Sequence, residues 1–318
     1  MNKVSQLSSL VGRFAPSPTG PLHFGSLVAA VGSYLETRSR GGRWLLRVED
    51  VDRPRAITGM ADQQLAMLDA YGFIREGTVL RQSERASVYQ AALAQLRAAD
   101  LAYPCTCTRS QIAAHPGVQL GVDGAMVYPG TCANWRKEDA VPEHAAWRFR
   151  VPTGPAAEIA FSDRVQSVCR QNLGRDVGDF VLLRADGCFT YQLAVVVDDL
   201  AQGVSEIVRG ADLLDSTARQ IALIRALGGV PPVYAHLPVV VNVAGEKLSK
   251  QTLAQALPDI NEAARVAMLW AALTFLGQSP ARRLRESGQE ILWAWALEAW
   301  SLERVPRCHS LPLPEGLF

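Results

Sequence analysis

Residues 11–48 read VGRFAPSPTGPLHFGSLVAAVGSYLETRSRGGRWLLRV. The apolar run at 11–15 predicts a strand, and the prolines between residues 16 and 21 predict a rigid turn after it. Apolar residues then recur at helical spacing, which predicts a helix that begins near Gly25. Residues 44–48 predict a second strand. A strand, a helix and a strand within about 40 residues form a βαβ unit, so we predict an α/β fold with a parallel sheet.

The composition excludes several classes of protein. A length of 318 residues allows about two domains, and 48% hydrophobic with 20% charged residues is typical of a globular chain and not of a disordered one. The formal net charge of +1 means that any nucleic-acid site must be local. No apolar run approaches the ~20 residues of a membrane span, and the first ten residues lack the apolar core of a secretory signal. We therefore expect a cytoplasmic protein with no membrane partner.

An insertion divides the predicted sheet. From residue 103 onward, cysteines, prolines and glycines crowd a stretch with neither helical nor strand periodicity, although 147–151 and 180–183 predict strands within it. The apolar run at 191–197 predicts that the sheet then resumes with a strand, followed by a helix at 217–227 and a strand at 238–243. We expect the first half of a catalytic domain, an inserted module, the second half of that domain and a tail that is helical to its end, at 1–102, 103–189, 190–255 and 256–318.

The turn after the first strand has the features of a phosphate site. A junction from a strand end to a helix start directs backbone N–H groups and the positive end of the helix dipole toward an anion. His23 could donate a hydrogen bond to a phosphate oxygen, and Gly25 leaves room for a nucleotide. The alternative is a histidine that only caps the turn.

Two segments of the chain match a known pair of signatures. Residues 14–20, FAPSPTG, with His23 and Gly25 after them, resemble the first signature of class I aminoacyl-tRNA synthetases in the wording of the glutamyl branch. Residues 247–251, KLSKQ, stand where the second signature is expected, on a loop after the second half of the sheet. The resemblance implies a Rossmann-like sheet split by a zinc-containing, acceptor-binding-like module, and ATP with Mg²⁺ as a substrate complex.

The same resemblance implies roles for the residues of both signatures. It implies catalysis by His23, Lys247 and Lys250, and ATP binding by these three residues together with Gly25 and Ser249. Lysines and a serine on a loop can stabilise the charge that develops on ATP phosphates during in-line displacement. The alternative for the lysine loop is an ordinary solvated surface loop.

A glutamate pocket needs an anion for the substrate ammonium and cations for its carboxylates. By resemblance, Glu49 meets the ammonium. The other implied members of the glutamate site are Arg13, Phe14, Ala15, Pro16, Ser17, Tyr191 and Arg209. The alternative for Glu49 is capping of a helix start, and for the run 209–212 it is a simple turn.

Three cysteines have the spacing of a metal site. Cys105, Cys107 and Cys132 supply soft thiolate ligands, for which Zn²⁺ is the expected partner. The fourth ligand is open between Tyr128, which the resemblance favours, and His115, which is the more usual type of ligand. The alternative for the whole set is free buried thiols. The remaining cysteines, at 169, 188 and 308, fit no motif.

The number of residues after the lysine loop bears on which part of a tRNA could accept the glutamate. The chain has 67 residues after Gln251, which is too few for the anticodon-reading domain of a full-length glutamyl-tRNA synthetase. The resemblance therefore narrows to truncated paralogues that activate glutamate and attach it to the queuosine base in the anticodon loop of tRNA(Asp). The alternatives are a shortened synthetase that charges a tRNA 3′ end, a non-catalytic RNA-binding paralogue, or another nucleotidyltransferase with a similar turn.

Overall fold

The computed structural model describes residues 10–242, 245–246 and 255–313. The first part of the chain builds three strands and three helices in alternation. Strands β1 and β2 pair in parallel with Val11 opposite Arg43, and β2 pairs in parallel with β3. This confirms the βαβ unit and the α/β fold class. The elements are β1 (Val11–Phe14), α1 (Phe24–Arg38), β2 (Arg43–Val48), α2 (Met60–Ala70), β3 (Leu80–Arg81) and α3 (Ala86–Ala98).

The middle of the chain is mostly antiparallel. Strands β10, β7 and β4 form one antiparallel sheet, and β5 pairs with β6 in a separate ribbon. Strand β8 pairs with β9 and also reaches β12 of the next part, where Asp163 lies opposite Tyr234. The elements are β4 (Ala102–Cys105), α4 (Arg109–Ala113), β5 (Gln119–Leu120), β6 (Met126–Val127), β7 (Ala146–Phe149), β8 (Glu158–Asp163), β9 (Ser167–Asn172), α5 (Leu173–Asp176) and β10 (Val181–Leu183).

The parallel arrangement resumes with two more strands. Strand β11 pairs in parallel with β12, and the Ser205 N–H just before β11 donates to the Val11 carbonyl oxygen at 3.0 Å. Strand β11 therefore lies beside β1, and the strands β3, β2, β1, β11 and β12 follow one another across the molecule. The elements are α6 (Tyr191–Ala201), β11 (Glu206–Gly210), α7 (Leu214–Ala226), β12 (Val233–Leu237) and β13 (Val239–Val241).

Two hydrophobic cores cover the two faces of these strands. Trp44 and Leu46 of β2 pack into one core with α1 and the C-terminal helices, whereas Leu45 packs into the other with α3, α6 and α7. The same alternation occurs in β11, where Val208 belongs to the first core and Ile207 to the second. Because successive side chains of a strand point to opposite faces, this pattern produces three layers with the strands in the middle.

Helix α1 packs tightly against the first strand. A Cβ atom placed on Gly12 of β1 would lie 2.0 Å from the Thr37 Oγ1. Only glycine allows this approach of helix and strand. The helix itself confirms the prediction for the segment that follows Gly25, although it starts one residue earlier, at Phe24.

In its described part, the tail contains the α-helices α8 (Glu262–Phe275) and α9 (Gln289–Ala299) and the strand β14 (Ser310–Pro312), which pairs with β13. The prediction of a tail that is helical to its end is therefore wrong at its last described segment. A short strand without alternation has no period that a sequence pattern could reveal, and here the pairing with β13 decides it. No helix in the described ranges has the length and hydrophobicity that crossing a bilayer requires.

The prediction of a strand at 191–197 is wrong, because these residues form the first part of α6. Leu193 to Val197 are all buried, and α6 lies in the core shared with α3 and α7. A continuously apolar run is compatible with a helix that is buried on most sides as well as with a buried strand, and its three valines favoured the strand. The actual strands, β11 and β12, were not predicted, and the strand expected at 238–243 is the shorter β13.

Candidate active site

A cleft of about 450 Å³ opens where β1, β2, β11 and β12 end. In open sheets of parallel strands, ligands bind at this edge, because the loops that follow the strands converge there. All eight residues that the sequence placed in a glutamate site line this cleft, together with the nucleotide candidates His23 and Gly25. These glutamate-site residues are Arg13, Phe14, Ala15, Pro16, Ser17, Glu49, Tyr191 and Arg209.

The turn after β1 is held from two sides. The Glu49 N–H donates to the Pro16 carbonyl oxygen at 3.0 Å, which ties the turn to the end of β2. On the other side, the Nε2 atom of the buried Gln64 donates to the carbonyl oxygens of Ser17 at 3.1 Å and Gly20 at 2.7 Å. Gln64 lies on α2 and was not predicted, because a single glutamine in an amphipathic helix gives no signal. These bonds fix the backbone of the turn before any ligand binds.

His23 caps α1 and also lines the cleft. Its Nδ1 atom accepts a hydrogen bond from the Ser26 N–H at 3.4 Å, so the capping alternative describes a real contact. A neutral ring whose Nδ1 accepts carries its proton on Nε2. Capping and donation to a ligand therefore use different edges of the same imidazole.

Glu49 belongs to a buried cluster of four charges. Its side chain is 8% exposed and its Oε1 lies 3.5 Å from Nη2 of the fully buried Arg47. The Asp199 Oδ1 accepts from that same Nη2 at 2.8 Å and from the Arg13 Nε at 3.1 Å. Two arginines and two carboxylates face one another, so the cluster is close to electrically neutral.

Burial and neighbouring charges act differently on the two acids. Burial raises the pKa of Glu49, and the charges of Arg47 and Arg13 oppose this only in part. Burial also acts to raise the pKa of Asp199, but two guanidinium groups outweigh it and hold that pKa below its ordinary value. The capping alternative is not observed for this segment: the short 3-10 helix at Arg53–Arg55 has no side-chain cap, and the Asp50 carboxylate instead accepts from the Ser83 N–H and hydroxyl, at 2.8 and 2.7 Å.

Asp199 was missed by sequence analysis. It lies near the end of α6, two residues beyond the run that was predicted as a strand, and its contact with Arg13 spans 186 positions in the sequence. The available signal was the pair Asp198 and Asp199 at the end of an apolar run, since buried carboxylates require partners.

Arg209 is hydrogen-bonded to neutral side chains, whereas Arg13 is paired with a carboxylate. It is 5% exposed, and its Nη1 donates to the Gln220 Oε1 at 2.8 Å, while its Nη2 donates to the Thr217 Oγ1 at 2.9 Å. Its Nε donates to the His236 Nε2 at 3.0 Å. Within the described residues, no acidic side chain forms an ion pair with Arg209. The expected turn is also present, since a short 3-10 helix spans Ala211–Leu213 directly after the strand.

Tyr191 completes this side of the cleft as the first residue of α6. Burial raises the pKa of its hydroxyl, and the nearby Glu49 adds to the shift. The phenol therefore stays protonated at neutral pH and can donate a hydrogen bond. The lysine-loop residues Lys247, Ser249 and Lys250 lie outside the described residues, so their placement stays a prediction.

The three cysteines of the predicted metal site lie together. The Sγ atoms of Cys105, Cys107 and Cys132 are within 4.8 Å of one another, and these residues could hold a metal ion. The Tyr128 hydroxyl lies 3.3 Å from the Cys105 Sγ and 3.6 Å from the Cys107 Sγ. His115 is not part of this group, and its Nδ1 accepts from the Gly117 N–H at 3.1 Å.

Comparisons with known proteins agree on one family. The model of class I tRNA synthetases (E and Q), catalytic domain, matches residues 9–290. The glutamyl-Q tRNA(Asp) synthetase of Dechloromonas aromatica is 55% identical over 303 residues, which are 95% of this chain and 98% of that protein. The protein of the same name from Chromobacterium violaceum is 56% identical over 295 residues, which are 93% of this chain and 95% of that one.

A solved structure shows the same fold. The glutamate-tRNA synthetase from Elizabethkingia anophelis superposes with a TM-score of 0.77 at 24% identity, covering 97% of this chain and 69% of that one. The fold is therefore the α/β fold of class I tRNA synthetases. With the family model matching most of the chain and relatives sharing about half of its residues, the protein belongs to the class I tRNA synthetases of the E and Q group and, within them, to the family of the glutamyl-Q tRNA(Asp) synthetases.

Proposed function

We propose that this protein activates glutamate with ATP and transfers it to the queuosine base in the anticodon loop of tRNA(Asp). The observation that carries the proposal is the cleft, which gathers every described residue of the expected glutamate and ATP sites at one edge of the parallel strands. The choice of tRNA(Asp) queuosine as the acceptor of glutamate is supported by the relatives, which share about half of their residues with this chain and are named glutamyl-Q tRNA(Asp) synthetases.

The proposed glutamate site uses charges of both signs. Glu49 binds the α-ammonium group, and Arg13, Tyr191 and Arg209 bind carboxylate oxygens. The turn of Phe14, Ala15, Pro16 and Ser17 provides the backbone of the pocket wall. The near neutrality of the cluster around Glu49 and the absence of an acidic partner for Arg209 among the described residues support this division.

The proposed ATP site lies beside it. His23 and Gly25 line the same cleft at the start of α1, where the helix dipole favours an anion. By resemblance, Lys247, Ser249 and Lys250 contact the phosphates. Mg²⁺ belongs to the ATP substrate complex.

The chemistry then requires two displacements. An oxygen of the glutamate α-carboxylate attacks the α-phosphorus of ATP, and pyrophosphate leaves. A hydroxyl oxygen of queuosine next attacks the carbonyl carbon of the adenylate, AMP leaves and the hydroxyl proton is released. Positioning of the reactants and stabilisation of developing charge suffice for both steps, so no side-chain nucleophile is needed.

We infer that the cluster of Cys105, Cys107, Cys132 and Tyr128 holds one structural Zn²⁺. In tetrahedral zinc with Zn–S bonds of about 2.3 Å, sulfurs lie about 3.8 Å apart. The Cys107 and Cys132 Sγ atoms are 3.6 Å apart, and the Tyr128 hydroxyl lies against the same sulfurs. The metal would fasten the segment between residues 105 and 132.

We also propose that the four segments expected from the sequence are the units of the protein. The segment 103–189 is the inserted module between the halves 1–102 and 190–255, and 256–318 is the tail. The antiparallel pairing of β4, β7 and β10 within that segment supports this division.

Labelled glutamate transfer tests the proposed function. Pyrophosphate exchange should depend on glutamate and not on glutamine or aspartate. Label should reach tRNA(Asp) from cells that make queuosine, and should not reach tRNA(Asp) from cells that lack it. The linkage should survive removal of the 3′ terminal adenosine. Charging of tRNA(Glu), or a requirement for that adenosine, would instead identify a shortened glutamyl-tRNA synthetase.

A further inference from the structure

The two arginines of the cleft differ in what holds them. Arg13 shares the carboxylate of Asp199, which balances its charge. Arg209 is held by His236, Gln220 and Thr217, none of which carries a negative charge. A buried cation without a balancing carboxylate attracts an anionic ligand more strongly than one that is already paired. Arg209 is thus the arginine of this pair whose charge remains available to a bound carboxylate.

The contact with Arg209 fixes the protonation state of His236. A guanidinium N–H can only donate, so the His236 Nε2, at 3.0 Å from the Arg209 Nε, must accept. The proton of the neutral ring then lies on Nδ1, which donates to the Asp163 Oδ2 at 2.6 Å. The other tautomer, or the protonated ring, would place an N–H against the N–H of Arg209.

Asp163 is itself rigidly held. Its Oδ1 accepts backbone N–H bonds from Val165 at 3.0 Å, Gln166 at 2.8 Å and His236 at 3.1 Å. The side chains of Asp163 and His236 are fully buried. Burial lowers the pKa of His236 to about 4, so the ring is neutral at physiological pH. Donation therefore runs one way along this chain of bonds, from Arg209 to His236 and from His236 to Asp163.

We propose that His236 and Asp163 are positioning residues that orient Arg209 for a substrate carboxylate and thereby set the affinity for glutamate. The proposal rests on the proposed function, since it assigns the anion at Arg209 to glutamate. Asp163 lies on β8 in the segment 103–189, and β8 pairs with β12, which carries His236. The inserted segment therefore contributes to the amino-acid pocket through this pair.

Three variants test the pair by kinetics. His236→Phe keeps the ring shape and removes the acceptor, so KM for glutamate should rise at least tenfold while kcat and KM for ATP change less than about threefold. His236→Gln can place its Oε1 near the former Nε2 position and should recover most of the affinity. In Asp163→Asn, the three backbone N–H groups keep the amide oxygen, so the NH₂ faces Nδ1 and inverts the tautomer. Asp163→Asn should therefore raise KM for glutamate by about as much as His236→Phe does.

The double variant of His236→Phe and Asp163→Asn should be no worse than His236→Phe alone, because both changes break the same chain. An NMR measurement on the unaltered protein keeps the proposal testable if a variant fails to fold. The ¹⁵N shifts of the His236 ring should show protonated Nδ1 and unprotonated Nε2, with His236→Gln providing the assignment.

Two results would overturn the inference while the proposed function stands. One is a protonated Nε2 in the NMR spectrum. The other is a wild-type protein that activates glutamate and a folded His236→Phe variant with unchanged KM for glutamate. If the wild-type protein neither binds nor activates glutamate, the proposed function fails, and the assignment of glutamate to Arg209 fails with it.

Discussion

Replacing Glu49 with glutamine tests the electrostatic design of the glutamate pocket. The change keeps the shape of the side chain and removes one negative charge from the cluster with Arg47, Asp199 and Arg13. The cluster then carries a net charge of about +1, which faces the substrate ammonium. The fold should be retained, because Arg47 keeps its 2.8 Å contact with Asp199.

The magnitude follows from the burial of the site. Unit charges about 4 Å apart interact by about 4 kcal/mol at an effective dielectric constant of about 20. The Glu49 side chain is 8% exposed, so screening by water is weak. Allowing for the lower desolvation of the neutral amide, we expect a loss of about 2 to 5 kcal/mol in glutamate binding. This corresponds to an increase in Kd of roughly 30-fold to several thousand-fold.

Titration calorimetry with glutamate measures the effect directly. The matched control is Asp52→Asn, which makes the same acid-to-amide change on a residue that pairs with the largely exposed Arg55 outside the cleft. The control should bind glutamate as the wild-type protein does. An unchanged Kd in a folded Glu49→Gln variant would refute the assignment of the ammonium to Glu49.

Three further predictions concern other parts of the molecule. Lys250→Ala should lower glutamate-dependent pyrophosphate exchange by ~10² or more with little change in substrate binding; an unchanged rate would remove the lysine loop from catalysis. Metal analysis should find about one zinc per chain, reduced in Cys132→Ser, less firmly retained in Tyr128→Phe and unchanged in His115→Ala, whereas zinc loss in His115→Ala but not in Tyr128→Phe would make His115 the fourth ligand. The pKa of His236 falls from 6.5 to about 4 on folding, so the unfolded chain binds more protons between these values, and the free energy of unfolding should decrease by up to about 3 kcal/mol as the pH is lowered from 6.5 to 4. Urea unfolding should show this slope in the wild-type protein and lose it in His236→Gln.

Local sequence patterns predicted β1, α1 and β2, and the family resemblance supplied the expected residues of the cleft. The turn with Pro16, His23 and Gly25 joins β1 to α1 within a few residues, so its geometry depends on neighbours in the chain. Residues that follow parallel strands converge at one edge, which is why motif positions as distant as Arg13 and Arg209 meet there. The metal cluster was also predicted from spacing, although only the fold brought Tyr128 to the sulfurs and left His115 outside.

Tertiary structure decided the features whose partners are far apart in sequence. The run after Tyr191 became helix α6 because of the core around it, and its own apolar pattern fits either structure. Asp199 and Arg13 are 186 positions apart, and Asp163 and His236 are 73 positions apart. A buried polar side chain requires a hydrogen-bond or ion-pair partner, but the sequence of the chain does not identify that partner, because burial and pairing arise only when distant segments pack together. The motifs of the sequence thus indicated the glutamate and nucleotide residues of the cleft, and the packed fold added residues such as Gln64 and determined the charges and hydrogen bonds that orient them all.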